Sequence, residues 1–442
     1  MSAQPAQGPK LWQAMRDAFR QEDVRRKLLF TLAMLVIFRF VAHVPIPNVD
    51  KAALDAAFNN NSLLDFLSIF SGGALQNLSV AALGVYPFIT AQIIIQVLTP
   101  LIPKFRALQE EGEAGRRRLQ LYTHWGAVPM AMAQGYGQLV FINSVGGNVV
   151  SDFGFQDHFI GTMATLLTLA AGTMFLVWLG ELITENGIGN GISIIIFGGI
   201  VASFPGLIPN LSTESIIGIL VIAVFAIGLV ALVVFFQEAQ RKVPVQYARS
   251  SFRGGRMYRQ QGQSHIPLRV NMAGMIPLIF AFSIMILPAT VASSFRDAAY
   301  IGPVARFFAD EFNSGRGGAG TGWYWAVLFI LVVVFTFFYT MVQYQQQQMA
   351  KTLQRQGAFI PGIRPGPPTE AYLMRVVTRI TWGGALFLGF VAILPFFIGL
   401  VSDVQALTVS STGFLIVVAV VLDTMKQLEA QLLMRNYEGF IR

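Results

Sequence analysis

The sequence predicts an all-α polytopic membrane protein, and three observations support that fold class. Of its 442 residues, 54% are apolar and 12% are charged, whereas about 25% of the residues in ordinary soluble domains are charged. Apolar runs of spanning length recur ten times along the chain, each near the roughly 20 residues that a bilayer core about 30 Å thick requires. Basic residues gather in alternate connections between these runs, as the positive-inside rule predicts.

The chain begins with a polar segment, followed by the ten predicted spans. Residues 1–27 include "LWQAMRDAFRQEDVRRK", which is typical of an amphipathic helix on the cytoplasmic surface of a membrane. The predicted spans lie at 28–45, 80–99, 121–142, 159–183, 191–208, 215–236, 271–291, 323–345, 377–400 and 409–426. A polar tail, predicted to be cytoplasmic, follows at 427–442.

Basic side chains predict the orientation of these spans. Of the 31 Lys and Arg residues, 26 fall on one side if the N-terminus is cytoplasmic, in 1–27, 100–120, 237–269, 346–379 and from Lys426 onward. This bias predicts that both termini are cytoplasmic, and it explains the net charge of +8 without a nucleic-acid partner. Five spans then fall in 28–208 and five in 209–426, which permits two halves related by inversion in the membrane plane.

One apolar helix is too short to cross a membrane. In "NSLLDFLSIFSGG", residues 61–73, Ser62 and Asp65 have the spacing of a capping box, and Gly72 with Gly73 indicates a helix stop. The helix between them would rise roughly 13 Å at about 1.5 Å per residue. Either it is a re-entrant packing helix that does not move, or it has a function that needs an apolar segment outside the lipid.

The sequence lacks the motifs of several enzyme classes. None of the seven lysines follows a glycine, which excludes a Walker A loop, and the four histidines form no HExxH pair. Arg39 is the one basic residue inside a predicted span, and we expect it to snorkel outward or to cap neighbouring carbonyls, with a gating role as the alternative. A secondary transporter of a small solute remains an alternative for ten spans with a broken helix, although it needs a mid-bilayer site that we do not find.

Two sets of uncharged side chains in the spans have two interpretations each. Amides occur at Gln92, Gln96, Asn190 and Asn271. They form either ordinary interhelical hydrogen bonds or a polar seam between helices that separate. Branched apolar side chains occur at Val85, Ile89, Ile192, Ile196, Ile279 and Ile416. They serve either packing and lipid contact or, if they converge, a hydrophobic constriction that gates by dewetting.

Five motifs together resemble the SecY family, the channel subunit of the bacterial protein translocase. They are "GVYPFITAQIIIQVL" (84–98), "GELITENGIGNGISIIIFGGI" (180–200), "NMAGMIPLIFAFSI" (271–284), "GAFIPGIRPG" (357–366) and "STGFLIVVAVVLD" (411–423). The resemblance implies ten helices in two inverted five-helix halves around an hourglass pore, in the cytoplasmic membrane. It also implies a channel without cofactors that passes unfolded secretory polypeptides, which carry signal sequences, and releases membrane segments sideways into lipid.

The resemblance further implies roles for particular residues. The six branched residues above become the ring at the waist of the pore, with Val85 where the family usually has Ile. The short segment becomes a plug that seals the pore from outside, with Gly72 and Gly73 as its hinge and an apolar surface formed by Leu63, Leu64, Phe66, Leu67, Ile69 and Phe70. The four amides become part of a lateral gate between spans 2–3 and spans 7–8.

Partners are also implied by the resemblance. The family works with the small membrane subunits SecE and SecG, with the motor ATPase SecA, and with the ribosome through its RNA. The two long basic loops, 237–269 and 346–379, would bind the motor or the ribosome. The residues assigned to these contacts are Arg253, Arg256, Arg259, Arg364 and Tyr437.

Overall fold

A computed structural model of the chain describes most, but not all, of its residues. They are 21–60, 64, 68, 71–147, 149–151, 153–155, 158–207, 216–253, 256–274, 276–282, 284–285, 321–347, 349–401, 413, 416–429 and 431. The described residues up to 207 and from 416 onward form one compact unit, and those from 216 to 413 form a second.

The first unit is helical. Its elements are α1 (Glu22–Val41), α2 (Lys51–Asn60), α3 (Tyr86–Leu101), α4 (Pro103–Glu110), α5 (Glu113–Gly146), α6 (Phe159–Asn186) and α7 (Gly191–Ser203), then a 3-10 turn (Phe204–Leu207) and helical residues 416–429. A core of branched and small side chains, among them Leu83, Ala131 and Leu169, packs these helices together. Gly135 fits against Leu83 and Leu169, because a Cβ there would lie 3.3–3.4 Å from their methyl groups.

The second unit combines long helices with a small sheet. Its elements are α8 (Ile216–Glu238), β1 (Gln240–Arg253), β2 (Arg256–Arg269), helical residues 276–282, α9 (Thr321–Gln347), α10 (Met349–Arg355), β3 (Ala358–Phe359) and α11 (Pro367–Val401). Stacked rings of Phe236 and Phe387, with centroids 3.9 Å apart, join α8 to α11.

Helical residues occupy part of each of the ten predicted spans. By length and composition alone, three helices in the described part of the chain could cross a membrane: Phe159–Asn186, Gly322–Arg355 and Pro367–Leu394. A fourth is possible if Tyr86–Leu101 and Pro103–Gln109, which meet at a 100° bend, count as one broken span. The total of ten transmembrane helices therefore stays a prediction.

Two helices, among others, begin away from the edges of the predicted apolar runs. The second span was expected from residue 80, but residues 80–85 form turns and α3 begins at Tyr86. Gly84 has φ +59°, and Pro87 lies in the first turn of α3, where its missing N–H costs nothing. The ninth span was expected from residue 377, but α11 begins ten residues earlier at Pro367, because hydropathy does not register its polar first turns.

The all-α prediction needs one correction, because the loop at 237–269 is a β-hairpin. β1 and β2 pair along their whole lengths, from Gln240 opposite Arg269 to Arg253 opposite Arg256. β3 adds a third antiparallel strand in the order β2-β1-β3. Val243 and Val245 are buried while Pro244 between them is exposed, which is the alternation of a strand with one covered face.

Candidate pore and plug site

The segment predicted as a plug ends in a glycine-dependent helix stop. Leu64 and Ser68 are helical, Gly72 has φ +69° and Gly73 has φ +78°. The Gly73 N–H donates to the Ser68 carbonyl at 2.7 Å, which is the six-to-one bond of a Schellman motif. The prediction that the glycine pair ends this helix is confirmed.

The other predictions on this segment lie outside the described residues. They concern the capping box and most of the apolar surface: Ser62, Asp65, Leu63, Phe66, Leu67, Ile69 and Phe70. Leu64 is the described member of that surface, and it is fully buried in the core of the first unit with Leu75 and Leu78. Protein rather than lipid therefore covers this side chain.

The end of the segment touches α7 backbone to backbone. A Cβ on Gly72 would lie 2.6 Å from Cα of Gly199 and 3.1 Å from Cζ of Phe38, and a Cβ on Gly199 would lie 2.9 Å from Cα of Gly72. Real Cβ atoms do not approach backbone so closely, so this contact requires glycine on both sides. Gly72 also requires glycine for its positive φ.

Gly199 lies on the same stripe of α7 as two predicted ring residues. Ile192, Ile196 and Gly199 are spaced i, i+4 and i+7, which places them on one helix face. Gly199 is about one turn beyond Ile196, roughly 4.5 Å along the axis. The segment 61–73 therefore ends against α7 one turn beyond a predicted ring position.

Arg39 also contacts this segment. It lies in the last turn of α1, and its Nη1 donates a hydrogen bond to the carbonyl oxygen of Gly72. The expectation that Arg39 caps a carbonyl is confirmed, although its partner is 33 residues away in sequence. The backbone carbonyl oxygen of Arg39 lies 2.8 Å from Nδ1 of His43.

The predicted ring residues differ in their surroundings. Val85, Ile89, Ile196 and Ile416 are buried within the first unit, so lipid contact is wrong for these four. Ile192 is half-buried and packs beside a small cluster that includes Phe88 and Val177, as the packing alternative predicts. Ile279 is half-buried on the helical residues 276–282 of the second unit.

Two of the four predicted gate amides make local hydrogen bonds. Asn190 is exposed and caps α7, because its Oδ1 accepts from the Ser193 N–H at 3.2 Å. Asn271 is buried, and its Nδ2 donates to the Gly274 carbonyl at 2.9 Å. Oδ1 of Asn271 is buried with no hydrogen-bond partner among the described residues.

The other two predicted gate amides are the glutamines of α3. Gln92 and Gln96 are half-buried, and Oε1 of Gln96 is buried with no hydrogen-bond partner among the described residues. The sequence analysis did not predict an interhelical polar contact between α5 and α3. In this contact, Nε2 of Gln134 donates to Oγ1 of Thr90 at 3.1 Å. A glutamine inside an apolar span was the available signal.

Close packing and hydrogen bonds hold the connection between α6 and α7. A Cβ on Gly191 would lie 1.8 Å from the Gly180 carbonyl oxygen, so the two helices touch at these glycines. The Gly191 N–H donates to Oγ1 of Thr184 at 2.9 Å, and the Ile188 N–H donates to Oγ1 of Thr31 at 3.2 Å. This turn fixes the position at which α7, with Ile192 and Ile196, begins.

A polar contact joins α5 to α6 near their predicted cytoplasmic ends. Nε2 of His124 lies 2.8 Å from Oε1 of Glu181, which also accepts from Nε2 of Gln120 at 2.8 Å. Nδ1 of His124 lies 2.8 Å from the carbonyl oxygen of Gln120. Within the described ranges, no group of three or more His, Cys, Asp or Glu residues could hold a metal ion.

The predicted motor and ribosome contacts are only partly described. Arg364 is exposed in the turn before α11, where its carbonyl accepts from Oγ1 of Thr369 at 2.8 Å. Arg253 pairs with Arg256 where the β-hairpin turns, and Arg259 pairs with Ser250 nearby. Tyr437 lies outside the described residues.

Comparison with known proteins gives one family and several relatives. A family model described as SecY matches residues 79–425. The chain is 42% identical over 445 residues to the protein translocase subunit SecY of Halalkalibacterium halodurans, covering 98% of this chain and 100% of the relative. It is 40% identical over 448 residues to the same subunit of Streptomyces scabiei, covering 97% and 99%.

Solved structures share the fold at low sequence identity. One is described as a protein conducting channel, with a TM-score of 0.61, 18% identity and 91% of each chain covered. A second concerns the plug domain of a SecY protein, with a TM-score of 0.60, 17% identity and 91% of each chain covered. A third is Sec61 in a canine ribosome-channel complex, with a TM-score of 0.59, 17% identity and the same coverage.

Proposed function

The chain belongs to the SecY family, and from that membership we propose that it forms the protein-conducting channel of a translocase. It passes unfolded secretory polypeptides across the cytoplasmic membrane and releases transmembrane segments sideways into lipid. The chain is a channel subunit and not an enzyme, so a partner supplies the energy. The alternative of a small-solute transporter has no support, whereas relatives at 42% and 40% identity are protein translocase subunits.

The proposed plug is the segment 61–73, which closes the pore from outside in the resting channel. The contact between Gly72 and Gly199, one turn beyond Ile196, is the observation that carries this assignment. The burial of Leu64 supports it as well, since a plug must be covered by protein when it is closed. One structural neighbour is described as having a plug domain that stabilises the closed state, and we extend this role to the present chain as a proposal.

The proposed constriction consists of Val85, Ile89, Ile192, Ile196, Ile279 and Ile416. Burial of four of these side chains away from lipid supports the assignment. A narrow apolar waist excludes water and ions by dewetting, yet it offers no fixed charge that selects among polypeptides. Ile192 is the weakest member, because its packing beside Phe88 already explains why an apolar residue is there.

The proposed lateral gate uses Gln92, Gln96, Asn190 and Asn271. Gln96 and Asn271 support the assignment best, because each has a buried amide oxygen without a partner among the described residues, which costs about 1–3 kcal/mol. A gate residue that gains a partner in another state of the channel explains that cost. Asn190 supports it least, because helix capping accounts for its side chain.

The proposed topology has ten spans in two inverted halves, 28–208 and 209–426, with both termini in the cytoplasm. The proposed partners are SecE and SecG in the membrane, and SecA or the ribosome on the cytoplasmic side. The hairpin β1–β2 supports these cytoplasmic contacts, because Arg253, Arg256 and Arg259 lie close together at its far end. Arginines there suit ribosomal RNA phosphates, whose attraction falls with added salt.

Site-specific photocrosslinking tests the channel proposal. A photoreactive residue replaces Ile196 in vesicles that contain the chain with its partner subunits, and a secretory polypeptide is stalled during export. We expect a crosslink from position 196 to the stalled polypeptide. The matched control is Leu167, which is 56% exposed on the neighbouring helix α6 and should crosslink to lipid.

Two results would contradict the proposal. Equal crosslinking of the polypeptide from positions 167 and 196 would remove the assignment of Ile196 to the pore. Uptake of a labelled small solute by the purified chain, with no polypeptide transported under any condition, would favour the transporter alternative.

A further inference from the structure

Gly72 lies in a crevice between α1 and α7. On one side its Cα meets the backbone of Gly199, and on the other it meets the ring of Phe38. Next to this crevice, Gly198 meets Leu35 of α1, whose Cδ2 would lie 2.7 Å from an added Cβ. The position of Gly72 is therefore fixed by packing from two helices, whereas its carbonyl group is held by a hydrogen bond.

The donor of that hydrogen bond is the guanidinium of Arg39. The side chain is half-buried, and among the described residues no carboxylate is recorded as its ion-pair partner. A hydrogen bond from a charged donor is stronger than one between neutral groups. The carbonyls at the end of a helix also carry partial negative charge, which attracts a cation.

Rotation about φ of Gly73 requires this bond to break. The Gly72 carbonyl belongs to the rigid peptide unit between Gly72 and Gly73, and these two residues have positive φ angles. When the helix swings about φ of Gly73, this peptide unit moves with it and the carbonyl turns away from Arg39. The hydrogen bond from Arg39 therefore restrains this one torsion of the glycine pair.

We propose that Arg39 is a positioning residue that restrains the hinge peptide of the plug and thereby keeps the resting channel closed. The inference rests on the proposed plug function of 61–73. A polypeptide that enters the pore supplies the interaction energy that breaks this bond. Loss of the Arg39 side chain lets the hinge turn without a polypeptide.

The chain contains no cysteine, so a single introduced cysteine is the only thiol that a reagent can label. Ser68→Cys places a single thiol on the plug side of the hinge, at a side chain that is 3% exposed in this structure. A membrane-impermeant thiol reagent added from outside then measures how often the plug opens. Ionic conductance in planar bilayers measures leak in parallel, and the chain is studied with its partner subunits.

Arg39→Met is the main variant, because it keeps an unbranched side chain and removes every donor. We expect labelling of the Ser68→Cys thiol to become about tenfold faster and the resting conductance to rise with it. Arg39→Lys keeps a cationic donor and should restore labelling to within about threefold of the parent rate. Lys51→Met removes an exposed positive charge predicted to be on the same side of the membrane and should change neither quantity.

The outcomes separate this inference from the plug proposal. If a stalled secretory polypeptide accelerates labelling in the parent but Arg39→Met has no effect, the role of Arg39 is wrong and the plug stands. If the polypeptide does not accelerate labelling in the parent either, the plug proposal itself is wrong. If Arg39→Met does not accumulate, Arg39→Leu takes its place, and parent-like labelling and conductance in that variant would overturn the inference.

Discussion

The Cα atoms of Gly72 and Gly199 leave no room for a side chain on either residue, since an added Cβ would lie 2.6–2.9 Å from the opposing Cα. This contact joins the end of the proposed plug to the helix that carries Ile192 and Ile196. If the segment is the plug, as proposed, its seal depends on two glycines that are 127 positions apart in the chain. Neither glycine can be replaced without moving the segment away from α7.

Gly199→Ala should open the resting channel without unfolding it. The added methyl group pushes against Gly72, so the plug loses its closed position, and we expect resting ion conductance to rise severalfold in planar bilayers. Gly228→Ala is the matched control, because Gly228 is also inside a helix and has nothing within 4 Å of an added Cβ. Equal conductance in the two variants would show that this contact does not hold the seal.

The glycine stop could be predicted from sequence because its cause is local. Gly72 and Gly73 adopt positive φ, and that requirement is met by the residues themselves. The partner of Arg39 could not be predicted, because it lies 33 residues away and depends on how α1 and the segment pack. The contact between Thr90 and Gln134 could not be predicted for the same reason, because the two residues lie 44 positions apart.

The hairpin and the start of α11 were missed for a different reason. Hydropathy identifies segments that avoid water, and the buried face described for the hairpin is short, with Val243, Val245 and Leu268 at its base. The first turns of α11 contain Glu370 and Arg375, so an apolar window begins after them. The six ring positions came from the family resemblance, since spacing alone did not separate a pore from packing.

Replacing Asn190 distinguishes a helix cap from a gate residue. Asn190→Ala removes the acceptor for the Ser193 N–H, and loss of such a cap costs about 1 kcal/mol. If Asn190 acts only as a cap, the unfolding temperature falls while recognition of signal sequences is unchanged, and Asn190→Asp restores stability. Ser193→Ala is the control, because it keeps the backbone N–H. Altered signal-sequence selectivity at parent-like stability would instead favour the gate.

The Thr90–Gln134 contact should show the asymmetry expected of a buried polar pair. Thr90→Val leaves the amide of Gln134 without its recorded partner, at a cost of about 1–3 kcal/mol. Thr90→Val combined with Gln134→Leu removes both polar groups, so we expect the double variant to unfold at a higher temperature than Thr90→Val alone. Thermal unfolding of the two single variants and the double variant in detergent measures this coupling. A double variant less stable than either single variant would mean that the contact contributes little.

Arg364→Glu should block export by the motor while leaving the chain folded. The side chain is exposed, and reversal of its charge repels an acidic partner surface without disturbing a buried contact. Its carbonyl, which accepts from Thr369, is unaffected because that bond uses the backbone. ATP-dependent export into reconstituted vesicles measures the effect. We expect the export rate to fall tenfold or more while the unfolding temperature stays that of the parent.

Arg355→Glu is the control, since Arg355 is also exposed, at the end of α10, but lies outside the "FIPGIRPG" turn. Equal losses in the two variants would point to general charge at this surface, and normal export in Arg364→Glu would remove Arg364 from the motor contact.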